Sequence, residues 1–293
     1  MDTLVRGSSA DGAIRVFSTV TTNLVNEAHR IHKTYPVATA ALGRLLTGAA
    51  MMGAMLKSED DSVTLQIQGD GPLGTLVAVT DSESHVRGYV GNPFVDRPLN
   101  SKGKLDVGGG VGKGTLSVIR DLGLKEPYIG QIPLVSGEIA EDLTAYFASS
   151  EQIPTAVALG VLVDTDNTAI AAGGFIIQMM PGSTDEMAEK IESILNGLPP
   201  VTTMIHEGMT AEDILFRVTE GFDMLMDNNA VHPKYECKCS KERMENALIS
   251  IGKKELEDLI EEQGSAELTC HFCENRYTFS KEELEALLEQ AKG

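Results

Sequence analysis

The position of the four cysteines constrains this chain more than any other feature, because all of them lie beyond residue 236. One residue separates Cys237 from Cys239, two separate Cys270 from Cys273, and thirty lie between the two pairs. Structural Zn²⁺ sites prefer four tetrahedral ligands, and two close cysteine pairs can supply four thiolates. The pattern predicts one zinc ion per chain held by all four cysteines, although the first spacing is shorter than in the usual zinc knuckle.

His232 and His271 lie near these cysteines and could serve as substitute ligands. Four thiolates already complete a tetrahedral site, so we interpret both histidines as bystanders. The surrounding sequence predicts a small module. Ser240 is a candidate cap for a helix at 241–250, a second helix covers 253–262, and short strands at 266–269 and 276–279 flank the second pair. Ser280 and Glu283 form a capping box for a last helix. So small an apolar core makes folding dependent on the metal.

The N-terminus shows neither the basic nor the apolar region of a secretory signal. The most apolar stretch, residues 37–56, contains Arg44 and many small residues, so we expect a buried helix there rather than a membrane span. These observations predict a cytoplasmic protein. In a reducing compartment, clustered cysteines are more often metal-binding or redox-active than structural.

The charge balance argues against nucleic acid as a general partner. Lys and Arg number 24 against 43 Asp and Glu, which gives a net charge of −19 and repels a phosphate backbone. A chain of 293 residues is long enough for about two domains.

The predicted elements upstream are irregular in order. Strand patterns at 14–20, 63–68 and 76–79 alternate with helical patterns at 23–33 and from residue 36 onward. This irregularity favours an α+β fold over repeating βαβ units. Only three of the 29 glycines follow Pro233, so the composition changes there. We therefore expect an α+β core at 1–180, a helical linker at 181–232 and a zinc-binding domain at 233–293.

The linker contains two helical patterns, at 185–195 and 211–226. It is also rich in methionine, a flexible side chain that suits adaptable apolar surfaces or fills gaps in packing. Seven of the 12 methionines fall in or just before the linker, namely Met179, Met180, Met187, Met204, Met209, Met224 and Met226.

No catalytic constellation is evident, and we expect no enzyme activity. The glycine-rich run 107–115 resembles a phosphate-binding loop, but Val107 and Gly114 stand where that motif needs Gly and Ser or Thr. A strand pattern follows it, so a tight turn explains the run better. His29 and His32 are interpreted as a partly exposed helix face.

Over its whole length the chain resembles the 33 kDa chaperonin family of redox-regulated heat-shock holdases. The resemblance is carried by CKCS at 237–240 and CHFC at 270–273. Further upstream it is carried by GGVGKG at 109–114, by EDL at 141–143 with SEQIP at 150–154, and by AGGF at 172–175 with QMMPG at 178–182. It implies a metastable helical linker and a C-terminal zinc domain that acts as a redox switch.

The resemblance also implies a mechanism. Peroxide or hypochlorous acid would join Cys237 to Cys239 and Cys270 to Cys273 and eject the zinc, after which the module unfolds and the linker loses its support. The oxidised protein, as a homodimer, would hold unfolding client proteins without ATP. It would pass them to ATP-dependent foldase chaperones when reducing conditions return.

Two other classes stay open at this point. A zinc-ribbon adaptor that binds nucleic acid needs a basic face, whereas residues 234–293 carry 9 Lys and Arg against 14 Asp and Glu. A dithiol oxidoreductase would use Cys270 and Cys273 catalytically, but no thioredoxin-like βαβ pattern precedes them.

Overall fold

The computed structural model describes residues 1–290, which form two compact units. The first runs from Met1 to Glu236 and the second begins at Cys237. Helices and strands are mixed without a repeating order, which confirms the predicted α+β class.

Two mainly antiparallel sheets form the framework of the first unit. Its strands are β1 (Thr3–Ser9), β2 (Ile14–Val20), β3 (Ser62–Gly69), β4 (Thr75–Asp81), β5 (His85–Val90), β6 (Gly114–Asp121), β7 (Tyr128–Pro133), β8 (Thr155–Val163), β9 (Ala169–Met179), β10 (Met224–Met226) and β11 (Lys234–Tyr235). The first sheet has the order β10-β1-β2-β9-β8 and the second β11-β5-β4-β3-β6-β7. Only the short β11 pairs in parallel, with β5.

The helices of the first unit are α1 (Thr22–His32), α2 (Pro36–Gly53), α3 (Val107–Val111), α4 (Ala140–Tyr146), α5 (Asp185–Asn196), α6 (Val201–His206) and α7 (Ala211–Val218). Helix α2 is the apolar stretch expected to be buried, and nearly all of it is. Its Arg44 pairs with Glu138 at 2.5 Å. No helix within residues 1–290 combines the length and hydropathy needed to cross a bilayer.

Helix α2 packs in the main core of the unit because its small residues allow neighbouring elements to approach the helix closely. A Cβ added at Gly48 would lie 2.8 Å from the side chain of Leu143. The predicted hairpin at 63–79 is confirmed as β3 and β4, with Leu65 opposite Ala78. The glycine-rich run forms the single-turn helix α3, capped by the Asp106 carboxylate, and the predicted strand follows as β6.

The segment after β9 packs against the face of the first sheet that points away from helix α2. There it forms a second apolar cluster. Ile191, Met204, Ile214 and Leu215 contribute to it from the helices. The sequence prediction of one helix over 211–226 was wrong beyond Val218. Gly221 adopts a φ of 78°, which a right-handed helix excludes, and residues 224–226 instead pair with β1.

The second unit comprises α8 (Lys241–Ser250), α9 (Lys253–Glu262), β12 (Ala266–Thr269), β13 (Arg276–Phe279) and α10 (Lys281–Gln290), as predicted. The Ser240 hydroxyl accepts the Arg243 amide, and Ser280 and Glu283 form the expected reciprocal cap. Among its residues up to 290, six buried apolar side chains form the core, namely Leu248, Leu256, Ile260, Phe279, Leu284 and Leu287.

We expect Ile214→Ala to lower the free energy of unfolding of the first unit by roughly 2 to 4 kcal/mol, because the substitution leaves a cavity. Ile214 is fully buried, whereas Phe216 on the same helix is 45% exposed. Phe216→Ala should therefore cost less than about 1 kcal/mol. Urea denaturation measures both, and equal losses would contradict the packing of α7 on the sheet.

Candidate metal centre

Two short stretches of backbone position the four cysteines of the second unit. Cys237 and Cys239 precede helix α8, and Cys270 and Cys273 lie in the turn that joins β12 to β13. The Cys270 carbonyl accepts the amides of Cys273 and Glu274, at 3.3 and 2.8 Å. Glu274 has a φ of 60°, which completes this tight turn. The hairpin thus places both thiols of the second pair on one loop.

The structure brings all four thiols together. The Sγ atoms of Cys237 and Cys270 are 3.7 Å apart, those of Cys239 and Cys273 are 3.3 Å apart, and all four lie within 4.8 Å of one another. Tetrahedral Zn–S bonds of about 2.3 Å place neighbouring sulfurs about 3.8 Å apart. Each cysteine is a free thiol. The donor set and its spacing therefore fit a tetrahedral zinc ion.

The pKa values describe how the cluster holds negative charge. Burial raises the pKa of Cys237 to about 11 and also raises that of Cys273. Burial alone would raise the pKa of Cys239 too, but hydrogen bonds from the Tyr277 hydroxyl and the neighbouring thiols lower it to about 7. Of these three thiols Cys239 therefore ionises most readily, and a divalent cation would compensate the charge of four thiolates.

Tyr277 is a site residue that the sequence analysis missed. Its hydroxyl lies 3.1 Å from Cys239 Sγ, and this hydrogen bond is the main cause that raises the pKa of Tyr277 to about 12. The only signal in the sequence was a tyrosine four residues after Cys273, in the predicted second strand of the hairpin.

The histidines have other surroundings. Among the described residues, the one group of His, Cys, Asp and Glu side chains close enough to share an ion contains only the four cysteines. His232 Nδ1 instead lies 3.0 Å from the Asp2 carbonyl oxygen. The interpretation of His29 and His32 as a partly exposed face was wrong for His32, which is buried with its Nε2 atom 2.9 Å from the Gly88 carbonyl oxygen.

Comparison with known proteins places this geometry in context. The family model described as Hsp33 protein matches residues 2–280. The 33 kDa chaperonin of Clostridium beijerinckii is 49% identical over 292 residues, which cover 99% of both chains. That of Clostridium perfringens strain SM101 is 52% identical over 291 residues, covering 99% of this chain and 92% of the relative. The crystal structure of the 33 kDa chaperonin (heat shock protein 33 homologue) of Thermotoga maritima matches with a TM-score of 0.89 and 44% identity, covering 98% of each chain.

Fold and sequence together define a heat-shock chaperone. The α+β first unit and the four-cysteine module occur in one chain, and the likeness to the relatives extends over nearly all of it. The chain belongs to the Hsp33 family, whose members compared above carry the name 33 kDa chaperonin.

Cys270→Ser is expected to reduce the zinc content of the purified reduced protein from one ion per chain to well under half, since a hydroxyl replaces a thiolate. His271→Ala is the matched control, because it changes the adjacent residue without removing a thiol. A colorimetric zinc indicator measures the zinc content of both variants. Full zinc in the serine variant would contradict a four-thiolate site.

Removing the metal with a chelator under reducing conditions should unfold the second unit and leave the first folded. Six buried side chains are too small a core to hold the module, whereas the first unit contains two larger clusters. Amide hydrogen exchange should lose protection at 241–290 and keep it in β3, β4 and α2, and added zinc should restore it. Unchanged protection at 241–290 would show that the module folds without metal.

Proposed function

We propose that this protein is a redox-regulated, ATP-independent holdase that binds unfolding proteins and prevents their aggregation under oxidative stress. The observation that carries the proposal is the cluster of four free thiols within 4.8 Å in a module with a core of only six buried side chains. Membership of a chaperone family supports the same conclusion. We propose no enzymatic role.

In the reduced, inactive state Cys237, Cys239, Cys270 and Cys273 would hold one zinc ion per chain as thiolates. When bound, the ion supplies charge compensation and a cross-link between the start of the module and its hairpin. The Tyr277 hydroxyl donates to Cys239 and orients that sulfur. The module thus depends on the oxidation state of four sulfur atoms.

Oxidation would join Cys237 to Cys239 and Cys270 to Cys273. Each pair of thiolates loses two electrons, and one hydrogen peroxide per pair accepts them together with two protons from the solvent to give two water molecules. A disulfide sulfur is a poor metal ligand, so the two bonds abolish the zinc site and the module unfolds. A bond across one intervening residue is readily reduced, which suits a reversible switch.

The proposed domain organisation follows from this mechanism, with a chaperone core at 1–180, a metastable linker at 181–232 and the redox-switch domain at 233–293. The linker helices cover one face of the first sheet through the second apolar cluster. Their release would expose aliphatic and methionine side chains that suit varied unfolded clients. Partial exposure of Met179, Met209 and Met224 in the folded state supports this assignment.

The remaining proposals concern the partners of the protein and its location in the cell. The active form is a homodimer in the cytoplasm that transfers clients to ATP-dependent foldase chaperones after reduction. A net charge of −19 would keep complexes with clients soluble. A zinc-ribbon adaptor for nucleic acid is the alternative, and the acidic module disfavours it because phosphate binding needs Lys and Arg.

The test is light scattering from a thermally unfolding client mixed with the zinc-loaded reduced protein or with the peroxide-treated protein, without ATP. We expect the oxidised form alone to suppress scattering. A variant with all four cysteines replaced by serine and exposed to the same peroxide shows whether the response to oxidant needs the thiols. Equal suppression by the reduced and oxidised wild-type forms would reject the redox switch.

A further inference from the structure

Half-buried methionines lie in and beside the short strand β10 at the edge of the first sheet. Met209 and Met226 line a cavity of about 590 Å³ that also includes Val5 and Val20. Met226 in addition lines a second cavity of about 310 Å³, beside Arg15. Both methionines are partly exposed, so small solutes can reach them from these cavities.

Other methionines of the same unit are enclosed. Met51 and Met52 in helix α2 are at most 1% exposed, and Met204 in α6 is 2% exposed. Oxidation of a thioether requires that the oxidant reaches the sulfur. The structure therefore separates the methionines into accessible and protected sets within one folded unit.

Two of the partly exposed methionines, Met209 and Met226, line one cavity beside the edge strand β10. Strand β10 has only three residues, and its pairing with β1 places Met226 opposite Gly7. Met209 and Met226 are partly buried against the second apolar cluster, which holds α6 and α7 on the sheet. Because local opening is easier in elements with few buried contacts, a polar group added beside this three-residue edge strand is expected to raise its opening rate.

We propose that Met209 and Met226 are oxidation sites for hypochlorous acid and that their sulfoxides loosen β10 and α7 from the first sheet. In each reaction the thioether and HOCl give a sulfoxide, a proton and a chloride ion. The sulfur loses two electrons, the chlorine gains them, and the oxygen ends on sulfur. The sulfoxide is polar and no longer packs as an apolar side chain.

This inference rests on the proposed function, because it gives the linker a second input for oxidants that does not involve the cysteines. A thiol-specific oxidant would reach only the zinc module. Hypochlorous acid would act on both units, and methionine sulfoxide reductases would be needed to reverse the thioether reaction.

The experiment uses the full-length, zinc-loaded, reduced protein. It is treated with a small excess of hypochlorous acid, then with dithiothreitol and zinc, which restore the cysteines and leave sulfoxides in place. Thiol titration selects samples with four thiols per chain. Peptide mass spectrometry locates the added oxygen, and amide hydrogen exchange follows β10 and α7.

We expect oxygen on Met209 and Met226 before Met51 and Met52, and exchange in β10 roughly tenfold faster than in untreated protein. Methionine sulfoxide reductases A and B should return the exchange to its original rate. The double variant Met209→Leu and Met226→Leu, which conserves volume, should show no acceleration. Met187→Leu, on α5 and outside both cavities, is the control and should respond like the wild type.

Three results would overturn the proposal: no oxygen on either methionine, unchanged exchange after both are oxidised, or equal acceleration in the double leucine variant. A separate sample treated with diamide, which oxidises thiols only, tests the proposed function on its own. Absence of client protection after diamide would reject the thiol switch. The sulfoxide positions and their effect on β10 would still be measured independently.

Discussion

The charge on four sulfur atoms is the constraint on which the second unit depends. Burial raises the pKa of Cys237 and Cys273, so these two thiols resist losing their protons unless a cation is present. As far as residue 290, the rest of the module offers two short strands, three helices and six buried apolar side chains. A domain of this size rarely folds on its apolar core alone. We therefore expect its stability to follow the chemistry of its cysteines.

The first unit, in contrast, is held together by a large apolar core. Helix α2 is buried along nearly its whole length between elements of two sheets, and its small residues permit that close packing. None of the four cysteines lies in this unit, so thiol oxidation does not act on its core directly. A chain built in this way can lose the order of one unit while the other keeps its fold, which is what a reversible switch requires.

Local signals in the sequence were sufficient where local physics decides the structure. The cap at Ser240, the capping box of Ser280 with Glu283, and the turn between β3 and β4 depend on residues a few positions apart. The cysteine cluster was also predictable, because spacing and residue type limit the chemistry that two close pairs can perform.

The prediction was wrong where distant contacts override local preference. Residues 224–226 have a helical pattern, yet they pair with β1, more than 200 residues earlier in the chain. His32 is buried because Gly88, 56 residues away, supplies a carbonyl acceptor. The hydrogen bond from Tyr277 to Cys239 spans 38 residues and depends on the closed hairpin. None of these contacts can be recognised from a periodic pattern of residues in the sequence.

The two kinds of sulfur in this chain suit different responses to oxidant. Four thiolates that share one ion act together, because losing one pair removes half of the ligands, so the proposed thiol switch is cooperative. The thioethers of Met209 and Met226 share no ligand and react singly, so their effect on β10 would grow in steps with exposure to oxidant. Thiol reductants restore the first group and sulfoxide reductases the second. A chain that carries both can therefore register the chemical identity of the oxidant as well as its amount.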